Sequence, residues 1–216
     1  MRWLGLLLPL LSAAPLGACG GSGPGPATAL ASLPPPASGD LRPPEVFDAI
    51  PRRADRSAVL FLEMSRVLLH PRCVNCHPDG DVPHQGMAGA LHDPPVLRGA
   101  DDHGIPGLEC TSCHQDHNVD LARVPGAPAW HVAPIEMAWV GKSPAQICEQ
   151  MKDRERNGGK TLDQIVEHNA HDALVGWGWA PGDGREPAPG TQARFGEITA
   201  AWVATGAACP PEEARP

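Results

Sequence analysis

Two pentapeptides hold the chemistry of this chain: Cys73-Val74-Asn75-Cys76-His77 and Cys110-Thr111-Ser112-Cys113-His114. Cys-x-x-Cys-His is the attachment signature of c-type haem. Thiols three residues apart reach the two vinyl groups on one edge of a haem, and the histidine that follows turns its imidazole to the iron. Cys73, Cys76, Cys110 and Cys113 are therefore expected to attach two haem c groups covalently, with His77 and His114 as proximal iron ligands. Paired Cys-x-x-Cys motifs also build zinc sites, with the pairs usually about 15–20 residues apart. Here 33 residues separate Cys76 from Cys110, and a histidine follows both pairs. A lone motif can also be a redox dithiol.

Each iron takes a second axial ligand, His or Met. The candidates are His70, His84, His92, His103, His117, His131, His168 and His171, with Met64, Met87 and Met137. His117 would have difficulty reaching the far face of its own haem, though it could reach the other, and the same objection applies to His70 beside its own motif. His92, in His92-Asp93-Pro94-Pro95, and His131, in Trp130-His131-Val132-Ala133-Pro134, are preferred as distal ligands because the neighbouring prolines stiffen the backbone. Met137 follows, and then His168 with His171, three apart on one helix face. Trp130 and Trp139 could lie on haem edges, although plain core packing is the simpler reading.

Three of the seven cysteines remain. Cys148 and Cys209 are expected to form a disulfide in an oxidising compartment. Cys19 follows Leu16-Gly17-Ala18, which resembles the lipobox of bacterial lipoproteins. Arg2 and the apolar run from Trp3 to Leu11 precede it, too short to span a bilayer as a mature helix. Residues 1–18 are thus expected to be a lipoprotein signal, and Cys19 the lipidated first residue of a periplasmic protein. Gly20 at the next position resembles outer-membrane sorting.

The elements that must position these residues are mostly helices. Gly and Pro make up 50 of 216 residues, Tyr is absent and Phe occurs three times, so the apolar core is small and a cofactor or cross-link is needed to support it. Residues 19–44 read as a Gly/Pro-rich linker. The domain spans 45–210, and 211–216 form a tail. A first helix lies within 45–69, ended by Pro71. Capping patterns at Ser143-Pro144-Ala145-Gln146 and Thr161-Leu162-Asp163-Gln164 start two more. A last helix starts at Thr191, carries Phe195, Ile198 and Trp202 on one face, and stops at Gly206. Residues 71–142 lack periodicity and read as loops wrapped around something other than an apolar core. The expected fold is a mostly α, small helical cytochrome c-like domain with long haem-wrapping loops. The formal charge of −8 argues against nucleic acid and for a basic protein surface as partner.

Several segments resemble bacterial proteins described as isoquinoline 1-oxidoreductase subunits. They are the two haem motifs, His92 to Val96, Asp101 to Gly104, Pro125 to Pro128 with Trp130-His131, Met137-Ala138-Trp139, Asn157-Gly158-Gly159, Leu174 to Trp179, and Gly206 to Pro210. The resemblance runs from about residue 45 to 210. It implies an electron-transfer subunit that accepts electrons from a molybdenum hydroxylase, itself without a catalytic site. Two other readings use the same residues. A di-haem enzyme such as a peroxidase needs one iron with an open position, and a binding module would hold zinc or haem.

Overall fold

The computed structural model describes residues 25–182 and 184–216. The signal segment and Cys19 lie outside the described residues. Of the described residues 42% are helical, counting 3₁₀ turns, and 5% are strand. The helices are α1 (Pro26–Ser32), α2 (Arg53–Leu68), α3 (Pro71–Val74), α4 (Pro144–Lys152), α5 (Leu162–His171), α6 (Ala173–Gly176) and α7 (Gln192–Ala204). Two antiparallel hairpins interrupt the loops, β1 (His84–Gln85) with β2 (Ala90–Leu91) and β3 (Gly104–Ile105) with β4 (Leu108–Glu109). Among the described residues no helix is long and apolar enough to cross a membrane.

Helix α2 is the centre of the core. Val59, Phe61, Leu62, Met64 and Val67 are wholly buried, and Phe61 meets Trp202 of α7 with ring centres 5.2 Å apart. Helix α7 also crosses α5 closely: a Cβ on Gly196 would stand 2.5 Å from that of Ala170. The capping boxes expected at Ser143/Gln146 and Thr161/Gln164 are both formed, and Gly206 ends α7 with φ +109°. Pro71 does stop α2, and it then begins α3, the helix that carries the first motif. A disulfide joins Cys148 of α4 to Cys209 beyond α7, with Cα atoms 5.6 Å apart.

The expected linker needs correction from residue 26 onwards. Its few apolar residues are placed to pack: Ala29, Leu30, Leu33 and Leu41 are buried in the main core. Arg42 binds the buried Glu63 carboxylate through Nη1 at 2.6 Å and through its backbone N–H at 2.9 Å, and donates from Nε to Pro34 O. Composition hid this, because four apolar side chains and two arginines, Arg42 and Arg66, suffice to hold a Pro-rich segment against a helix.

The core divides the molecule. Of its buried apolar residues, only Ala127 and Val132 fall between 77 and 136. That stretch is held by polar contacts, above all those of Arg98. This buried guanidinium donates to Pro78 O, Gly80 O and Ala133 O and pairs with Asp102 at 2.6 Å.

Candidate functional site

Both motifs have the same local construction. Each begins as a short helical turn, α3 at Cys73 and a 3₁₀ turn over Cys110–Ser112, which brings the two cysteines to one side. All four thiols are free of disulfides. The imidazole of His77 donates from Nδ1 to Met137 O at 2.7 Å, and that of His114 donates from Nδ1 to Pro125 O at 2.7 Å. A carbonyl can only accept, so both rings carry their proton on Nδ1 and keep the Nε2 lone pair for a metal. An indole stacks on each ring: Trp139 on His77 at 3.4 Å and Trp130 on His114 at 4.5 Å, nearly parallel in both cases.

One segment supplies all of these partners. Residues 125–139 form a strap that runs past both motifs. Ala133 N–H donates to Cys76 O and Trp139 N–H to His77 O. Asn118 anchors the start of the strap: its Oδ1 accepts from Gly126 N–H and from Trp177 Nε1. Gly126 fits there for want of a side chain, since a Cβ would come within 2.2 Å of His117 O. Trp177 meets Trp130 edge-on at 5.0 Å and also lines the first pocket, so the two sites share a wall.

The first site is the deeper one. Its cavity of about 160 Å³ is lined by Cys73, Cys76 and His77, with Leu68, Met151, Ile165 and Phe195 giving apolar walls. Burial pushes the Cys73 thiol up to about 12. It also pushes Cys76 up to about 11, with Cys110 of the second motif adding to the rise. Burial drops His77 to about 3, opposed by its bond to Met137 O and reinforced by His168 and His131, so the ring is neutral across the ordinary pH range. At the second site Cys113 is exposed, and burial lowers His114 and raises Cys110 more mildly.

The two expected distal ligands fall at different places. His92 lies beside His114, ring centres 5.9 Å apart, with Nδ1 donating to Pro94 O at 2.8 Å. His131 lines the first pocket, its Nδ1 donating to Ala129 O at 2.6 Å and its ring stacked on His103. It belongs to the strap, on the side that carries the partners of His77. The pocket has a further imidazole, His168 of α5, whose Nδ1 faces Asp172 Oδ2 at 3.3 Å. Ile165, His168, Asn169 and Asp172 follow at helical spacing and all face this pocket. Of the others, His70 accepts at Nδ1 from Arg72 N–H and caps α3, and His171 lies outside the first pocket beside Glu167. Met64 is wholly buried in α2 and Met87 is exposed on a hairpin.

Arg98 and Asn118 escape a reading by motif, whereas Trp177 lies in the Leu174 to Trp179 segment that carries the resemblance. Of the first two, only Arg98 left a trace, as one of two basic residues among nine acidic ones between 77 and 136.

The residues suit a haem by their chemistry. Each site offers two unpaired thiols and a neutral imidazole with a free Nε2, and the first adds apolar walls. Trp139 Nε1, in the wall of the first pocket, is a buried donor without a partner; a cofactor bearing carboxylates would satisfy it. No three His, Cys, Asp or Glu side chains among the described residues converge as a protein-only metal site requires. No family model, curated protein or solved structure matches the chain.

Proposed function

We propose that this is an exported di-haem c-type cytochrome that transfers electrons, anchored through Cys19 in the periplasm and serving as acceptor subunit to a molybdenum hydroxylase. The observation that carries the reading is the duplicated arrangement: two Cys-x-x-Cys-His turns, each with free thiols, an imidazole fixed through Nδ1 to a carbonyl of the strap, and an indole against that ring. Bound haem supplies a one-electron iron couple at each site. The chain's own part is to hold each Nε2 in place, exclude water from the first site and keep the two sites against one shared wall.

The spacing of the imidazoles supports one axial pair at each site. His92 would partner His114: their ring centres stand 5.9 Å apart, a separation that two imidazoles on one metal would span with metal–nitrogen bonds of about 2 Å. For the first haem His168 of α5 would serve in preference to His131, because His131 sits on the strap that already supplies the partners of His77. Ligation by histidine on both faces gives low potentials. It leaves no open position of the kind a peroxidase needs, so the protein is an electron carrier and not itself an enzyme.

The test is the pyridine haemochrome spectrum of mature protein from a host that assembles c-type cytochromes. Two covalent haems per chain are expected, and the reduced protein should not bind carbon monoxide. A colourless protein holding zinc would sink the reading and leave a metal-stabilised binding module. Carbon monoxide binding by the unaltered protein would revive the enzyme alternative. Carbon monoxide should bind the His168→Ala protein and not the His131→Ala protein; the reverse would return the distal role to His131.

A further inference from the structure

The charge of this protein is not spread over its surface. Between 77 and 136 lie nine acidic residues against Arg98 and Arg123, a net −7 of the chain's −8. Eight of the nine are exposed, and Arg98 is buried against the ninth, Asp102. The large apolar side chains that stand exposed among the described residues fall in the same stretch, from Met87 to Ile135.

The second motif lies within this region. Asp101 and Glu109 are close enough to act on each other, and Asp101 acts on Cys110 as well. Asp116 and Asp120 follow His114 in the chain, both exposed. Leu108 and Leu121 are apolar and exposed, Leu121 completely so. The first motif, by contrast, opens into the helical core.

We infer that the exposed segment around Cys110–His114, which carries Leu108 and Leu121 with Asp101, Glu109, Asp116 and Asp120, is where a redox protein with a basic surface docks. This rests on the haem reading: one electron leaves whichever partner is reduced and arrives on the other through the second site. Exposed apolar side chains together with charged ones suit a transient protein interface, and complementary charge sets its encounter rate. The same charge repels a second copy of this chain and an anionic lipid surface.

The probe is a lysine-rich mono-haem cytochrome c. Its binding is followed by NMR line broadening, and its electron exchange with the di-haem protein by stopped flow. At low salt the Asp116→Lys/Asp120→Lys protein should exchange electrons about tenfold more slowly. The difference should vanish by about 0.5 M salt, where the screening length is about 4 Å. Leu121→Ser should weaken binding at every salt concentration. Glu212→Lys/Glu213→Lys makes the same charge change in the tail and should stay within about twofold of the original. Equal slowing by both charge changes would leave only net charge at work and overturn the inference. So would indifference to salt, or self-association through this face in sedimentation. The line-broadening titration needs no haem on this chain, so absence of haem would defeat the functional reading without deciding the docking face.

Discussion

At the scale of single residues, the sites depend on small allowances as much as on ligands. Gly126 is one. A methyl group there would press on His117 O at 2.2 Å and Gln115 O at 2.4 Å, and backbone oxygens cannot give way as a flexible side chain can. Gly126→Ala should push the strap from the second motif, displacing Pro125 O from His114 and Gly126 N–H from Asn118. The expected cost is about 1–3 kcal/mol, with haem attachment falling at the second motif while the first stays loaded. Tryptic peptides scored for covalent haem would show this; full loading of both motifs would mean that the close approach is relieved elsewhere. The motifs stood out in the sequence because two bond-forming thiols and a ligating imidazole would need fixed neighbours. Their supports did not. Any carbonyl can accept from an Nδ1, so nothing marked Met137 or Pro125 as the acceptor for a motif histidine, and Asn118 is one amide among several. His168 was visible as a candidate, but only the fold brings α5 to the pocket of His77.

At the scale of elements, legibility followed local hydrogen bonding. The starts of α4 and α5 are written in Ser143/Gln146 and Thr161/Gln164, whose bonds close within four residues. The packing of 26–42 onto α2 depends on contacts across twenty residues, such as Arg42 with Glu63, and composition does not register those. Helix α3, which aims the first motif, starts with an unusual cap, the neutral ring of His70 accepting from Arg72 N–H. Burial lowers the pKa of His70 from 6.5, and the Arg72 charge lowers it further, against a weaker opposing effect of Glu186. The unfolded chain therefore binds the proton more readily than the folded one. The cap is complete above the unfolded value of about 6.5 and is lost as pH falls towards the lowered folded value. Stability should decline on acidification below that point by an amount on the order of one cap, about 1 kcal/mol. His70→Asn retains an acceptor that does not titrate, so it should flatten this part of the pH profile in urea unfolding. An unchanged slope would place the titrating group elsewhere.

At the scale of the whole molecule, the chain is two halves with different sources of order. The helical half has its own core around α2 and α7, and the Cys148–Cys209 disulfide closes a loop over a separation of 61 residues. In the chain-entropy model that cross-link contributes about 4 kcal/mol. Cys148→Ala/Cys209→Ala should thus lower Tm by roughly 10 °C, and a shift of only about 2 °C would assign the constraint to packing alone. The half from 77 to 136 has almost no apolar core and relies on Arg98, the strap and two short hairpins. Such a region opens with little free energy unless something fills it, and covalently held haem would do so by burying the inner faces of the loops. The protein made without haem attachment, with Cys73, Cys76, Cys110 and Cys113 changed to Ser, should therefore keep slow amide exchange in α2, α5 and α7. It should exchange rapidly between 77 and 136, and the haem-loaded protein should show protection in both halves. Equal protection of residues 77–136 in the two forms would mean that the polar network orders the loops unaided. The composition that first suggested a missing core would then need an explanation other than a cofactor.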